Sequence, residues 1–69
     1  MLVLYEFVKS KDNKIVDEIN IFDSDRPDAI KEFLKRKRNI DVSITSIKYS
    51  ISKDYVIKNN FKVIKVKED

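Results

Sequence analysis

Three groups of residues in this 69-residue chain carry charge at spacings that could do chemistry. The first is acidic: Asp17-Glu18 and, just beyond, Asp23-Ser24-Asp25-Arg26-Pro27-Asp28. The second is the basic run Lys31-Glu32-Phe33-Leu34-Lys35-Arg36-Lys37-Arg38, and the third is the set of lysines 58, 62, 65 and 67. Paired carboxylates can hydrolyse glycosides or hold a hard cation. A chain this short leaves little room for a sugar cleft. An EF-hand loop begun at Asp23 would need glycine at its sixth position and glutamate at its twelfth, where this chain has Asp28 and Leu34. Helix capping, with carboxylates near the positive end of the helix dipole, is the simpler expectation.

What the chain lacks narrows the chemistry further. It has no histidine, no cysteine and no glycine. General acid–base work near neutral pH most often uses histidine, and thiolate nucleophiles and thiolate zinc sites need cysteine. Serines 10, 24, 43, 46, 50 and 52 have no histidine to activate them. Glycine-rich phosphate loops and the G-x-S-x-G elbow cannot be written without glycine. The expectation is a protein that is not an enzyme, with no catalytic residues, cofactor or metal.

Charge divides unevenly along the chain. Residues 1–28 hold four basic and seven acidic groups, a net of −3, and residues 29–69 hold eleven basic and five acidic groups, a net of +6. On a helix, Lys31, Lys35 and Arg38 line one flank, and Glu32 stands four residues before Arg36 in the favourable ion-pair order. These cations, with Lys58, Lys62, Lys65 and Lys67 pointing outward from strands, are the contacts expected of a non-specific nucleic-acid binder. The plain alternative is a solvated helix face plus lysines that keep sheet edges from aggregating. Stacking aromatics usually accompany the cations in nucleic-acid sheets, and here Tyr49, Tyr55 and Phe61 fall on the inward parity.

The elements that must position these groups follow from hydrophobic periodicity. Leu2 to Val8 reads as a strand apolar on both faces, with Val3, Tyr5 and Phe7 on one and Leu2, Leu4 and Val8 on the other. A polar turn over 9–14, with Asp12-Asn13 in place of glycine, leads to a returning strand from Ile15 to Phe22. Ser24 or Asp25 is suited to cap a helix at about 26–38 that has Pro27 in its first turn, Ala29, Ile30, Phe33 and Leu34 on its apolar face, and Asn39 closing it. Ile40 to Ile51 reads as a strand whose parity switches at Thr45-Ser46, a bulge that turns Ile47, Tyr49 and Ile51 inward. Ser52-Lys53-Asp54 is then a turn, and Tyr55, Ile57, Phe61 and Val63 a last strand, unless Asn59-Asn60 is itself a hairpin turn. The expected fold is α+β: ββαββ in one domain spanning 1–69, an antiparallel sheet of four strands, or five if Asn59-Asn60 turns, with one helix on one face.

Excess apolar surface on so small a chain marks a protein interface. The expected contacts are Leu2, Leu4, Val8, Val16 and Phe22 with the acidic Asp17, Glu18, Asp23 and Asp25. With neither disulfide nor metal to staple it, a small domain gains from self-association, so a homo-oligomer, a dimer first, is also expected. Lys, Ile, Asn, Phe, Tyr and Met make 35 of the 69 residues while Gly, Ala, Arg and Pro make five, the signature of AT-rich codons. That composition suits small viral, phage or plasmid proteins. The expected role is a binding protein that occupies a surface on another protein, such as an inhibitor of a host or defence factor. Nucleic-acid binding and a structural homo-oligomer are the alternatives. No signal-peptide core and no membrane span are seen, so a cytoplasmic location, the host cytoplasm for a viral gene, is expected.

Overall fold

The computed structural model describes residues 1–9 and 14–67, except the side chains of residues 9 and 14. The element order is β1 (Leu2–Lys9), β2 (Lys14–Phe22), α1 (Pro27–Arg38), α2 (Ile44–Lys53) and β3 (Phe61–Lys65). The three strands form one antiparallel sheet in the order β2-β1-β3. The turn expected at 10–13 lies outside the described residues.

The first hairpin and α1 form where the periodicity places them. β1 pairs with β2 from Leu2↔Phe22 to Lys9↔Lys14, and the register shifts between Glu6 and Phe7, leaving Asp17 as the extra residue of a bulge. Pro27 opens α1, where its missing N–H costs nothing. Asn39 closes it in the left-handed region, with φ 55°. Neither expected cap forms. Arg26 holds the N-cap position with no side-chain bond. Ser24 Oγ instead accepts the Arg26 backbone N–H at 3.0 Å, and Asp25 pairs with the Met1 ammonium. That hydrogen bond, aided by the cation of Lys65, lowers the pKa of Asp25 below the ordinary carboxylate value.

The second half corrects the expected four- or five-stranded, one-helix fold. Residues 44–53, read as strand and turn, are the helix α2. Ser43 caps it, its Oγ accepting the Ser46 N–H at 3.1 Å, and Asp54 ends it at φ 61°. The parity switch at Thr45-Ser46 is not a bulge. It is the three-residue step of a helical face, on which Ile44, Ile47 and Ile51 recur while Tyr49 turns out to solvent. The β-branched and aromatic content of the segment favours strands locally, and burial of one helical stripe overrides that preference.

The alternative hairpin turn at Asn59-Asn60 is found one residue earlier, centred on Lys58-Asn59, and brings no fifth strand. Lys58 and Asn59 take successive positive φ values of 50° and 61°, and the Asn60 N–H bonds Ile57 O at 3.0 Å, as in a type I′ turn. The strand before it shrinks to one bridging residue, Ile57, which exchanges hydrogen bonds with Phe61. A left-handed lysine is an uncommon occupant of such a turn. Lys58→Gly is therefore expected to stabilise the protein by about 0.5–1 kcal/mol, after the greater freedom of glycine in the unfolded chain is subtracted. Thermal unfolding followed by circular dichroism would read this as a midpoint raised by several degrees.

Both helices cover the same sheet face. Leu2 and Leu4 of β1, Phe61 and Val63 of β3, Ile30 and Leu34 of α1 and Ile47 of α2 form the core with Val42 and Ile57. Phe22 stands edge-on to Phe33 at the margin of that core, with ring centroids 5.4 Å apart.

Candidate interaction surface

The register of the sheet decides which residues share the uncovered face. Val3 lies between Ile21 and Ile64, Tyr5 between Ile19 and Lys62, and Phe7 beside Val16. Val66 bonds Met1 across the end of the sheet and extends the same face. Val3 at the centre is only 7% exposed, because the flanking side chains surround it. Those on β2 stand open, with Val16 43%, Ile19 53% and Ile21 65% exposed. Among the described side chains this face is apolar apart from Lys62, which is paired with Asp54 beyond the end of α2. It presents on the order of 400 Å² of apolar surface, within the size range of the largest patch on a typical monomer.

The expected interface set divides between the two faces. Leu2 and Leu4 have no exposed surface and belong to the core, so they have none to offer a partner. The residues of the opposite parity, Val3, Tyr5 and Phe7, occupy the open side instead. Val8 and Val16 are both exposed, but Val8 has the parity of Leu2 and Leu4 and Val16 that of Val3 and Phe7, and Phe22 is half-buried against Phe33. Asp17 and Asp23 are exposed, with no ion-pair partner among the described residues. Glu18 faces the helix side and binds Arg38, and Asp25 binds the Met1 ammonium. Reading sequence alone missed Ile19 and Ile21 as contacts. Their signal was present in their shared parity with Val3 and Tyr5 across the hairpin, but β1 is apolar on both sides and does not say which side the helix takes.

The basic residues do not gather into one stripe. Arg38 at the end of α1 donates to Glu6 at 2.8 Å through Nε and to Glu18 at 2.6 Å through Nη2, clamping α1 to β1 and β2. The hydrogen bond that Arg38 donates to Glu6, then the charge of Glu6 and that of Glu18, raise the arginine pKa still further. Lys31 donates to the Val42 carbonyl at 2.9 Å, and Lys35 reaches Asp41 at 3.4 Å. Both line a groove where Asp28, Glu32 and Asp41 intersperse with the cations, and Arg36 stands 3.9 Å from Glu32. Lys62 and Lys65 pair with opposite partners across β1, so they leave opposite faces of the sheet rather than pointing out together. Lys65 stands 3.9 Å from Asp25. Lys58 sits in the exposed turn, and Lys67 follows β3. Tyr49 and Tyr55 lie outside the core as an edge-on pair 5.6 Å apart, on the far side of α2.

The two edges of the sheet differ more than the two faces. The Met1 carbonyl and the Phe7 N–H bond Val66 and Asn60 on the β3 side, so the odd residues of β1 address β3 and the even ones address β2. By the same alternation Phe61, Val63 and Lys65 of β3 point outward; Phe61 exchanges bonds with Ile57 and the Val63 N–H bonds Ser50 Oγ at 2.9 Å, which covers this edge as far as Val63. On β2 the outward backbone groups include those of Ile19 and Ile21 before the bulge, and no described element lies beyond them. Among the described residues no three carboxylates come close enough to hold a metal, and no helix is long and apolar enough to cross a membrane. Compared with known proteins, the chain matches no family model, no curated protein and no solved structure.

Proposed function

We propose that this is a non-catalytic protein-binding domain that acts by occupying a surface on another protein. The observation that carries the reading is the uncovered sheet face, where Val3, Tyr5, Phe7, Val16, Ile19 and Ile21 lie together with no unpaired charge among them. Water contact with such a patch is unfavourable by about 25 cal/mol per Å², and a protein partner relieves it. The acidic residues Asp17 and Asp23 frame the patch along β2 and favour a partner that carries cations beside its apolar surface. The nucleic-acid alternative has weaker support. Most of its cations are engaged by carboxylates or a carbonyl, and those of β3 leave on two faces.

The test compares two variants in affinity capture from the source cell, with bound protein and nucleic acid both analysed. Ile19→Lys with Ile21→Lys is expected to abolish capture of a stoichiometric protein partner that the wild type retains. Lys31→Ala with Lys35→Ala is expected to leave that capture intact. Recovery of nucleic acid alone, lost in the lysine variant, would replace this reading with the alternative.

A further inference from the structure

The open face alone is about half the roughly 800 Å² per partner that a standard protein complex buries. The adjoining edge of β2 can supply the remainder. Its outward N–H and C=O groups at Ile19 and Ile21 have no partner among the described residues, whereas Ile57 and Ser50 satisfy their counterparts at Phe61 and at the Val63 N–H of β3. Natural edge strands are shielded by proline, inward charges, central lysines or a covering element. The stretch Glu18-Ile19-Asn20-Ile21-Phe22 has neither proline nor lysine, its inward charge, Glu18, is paired with Arg38, and the bulge at Asp17 limits it to these five residues.

We propose that the β2 edge binds an extended segment of a partner protein as an added antiparallel strand, with apolar side chains opposite Ile19 and Ile21 and basic ones opposite Asp17 and Asp23. This rests on the protein-binding reading above and names the mode and the chemistry of the partner. In strand addition, main-chain bonds give affinity and alternate side chains give specificity. Here the alternate positions are two isoleucines flanked by two carboxylates that have no ion-pair partner among the described residues. A second copy of this chain fits less well. Pairing two β2 strands over the whole five-residue stretch, faces matched, centres the two-fold axis on Asn20. It then sets Asp17 of each copy against Asp23 of the other, and like charges directly opposite are destabilising.

The probe is the heptapeptide Lys-Thr-Val-Thr-Val-Thr-Lys, compared with its counterpart carrying glutamate in place of both lysines. Titrated into isotope-labelled protein, the lysine peptide should shift the amide resonances of residues 18–22 saturably and slow exchange of the Ile19 and Ile21 amides. It should bind about tenfold more tightly than the glutamate peptide, since two attractive cross-strand pairs become two repulsive ones. Asp17→Lys with Asp23→Lys changes only exposed side chains and should invert the preference. Equal binding of the two peptides, or no effect of either on β2, would overturn the proposal. So would shifts over the open face without protection of Ile19 and Ile21, which would leave the protein-binding reading standing. Protection that grows with protein concentration in the absence of peptide would assign the edge to a second copy and overturn the proposal too.

Discussion

Ile47→Ala is expected to destabilise the protein by about 2–5 kcal/mol, the usual range for removing an isoleucine side chain from a packed core. Ile47 is fully buried, and with Ser50 it is one of two α2 residues in that state. The helix is therefore anchored by a single large side chain, with Ile44 and Ile51 only half-buried beside it. A domain of this size has roughly 3–10 kcal/mol of total stability at ordinary values per residue. The substitution should leave the protein marginally folded at room temperature. Tyr49→Ala is the matched control. Tyr49 is 53% exposed and touches Tyr55 edge-on, so its loss should cost about 1 kcal/mol or less. A strand over these residues would bury Tyr49 with Ile47 and make both costly. Urea unfolding midpoints of the two variants, read against wild type, distinguish the arrangements directly.

Ser50→Ala is expected to cost about 2–4 kcal/mol, although it removes one oxygen atom. The hydroxyl donates to the Tyr55 carbonyl at 2.6 Å and accepts the Val63 N–H at 2.9 Å. It thereby ties the last turn of α2 to the outer edge of β3 and to the segment after the helix. Alanine leaves a buried N–H without a partner, and each orphaned buried group costs about 1–3 kcal/mol. Water cannot substitute readily, because Ser50 is 1% exposed. Hydrogen exchange provides the specific readout. The Val63 amide should lose its protection in Ser50→Ala well beyond the change in global stability, whereas in Ile47→Ala it should follow the global change. Equal behaviour of the two variants would show that Ser50 acts only through packing.

These two residues also mark where sequence reading failed. On the strand reading, Ser50 alternated outward with Lys48, as a polar residue in a half-buried strand should. Its burial depends on a partner thirteen residues away, which local pattern does not encode. Ile40, Val42 and Ile44 followed by Ile47 and Ile51 satisfy a slipped period of two nearly as well as a period of 3.6. The signal that separates them is Ser43, placed to cap at the Ser46 N–H, and it weighs little against six β-favouring residues. The candidate surface was half legible for a related reason. That the first hairpin carries more apolar side chains than one helix can cover is evident from Leu2 to Phe22. Which parity lies open depends on where α1 docks: Ile30 and Leu34 pack on the face of Leu2 and Leu4, and Arg38 bonds Glu6 and Glu18 at its rim.

The two strands of the first hairpin, the helix that follows and the absence of histidine, cysteine and glycine are all legible in the chain itself. Each of these is written in contiguous periodicity or in composition, and short-range physics suffices to read it. Tertiary contacts decided that 44–53 is a helix, that one edge of the sheet is covered by Ile57 and Ser50 as far as Val63, and that among the described residues nothing covers the edge and outer face of β2. Those outcomes turn on which apolar stripe finds burial and which backbone groups find partners, and both are settled only when distant segments meet.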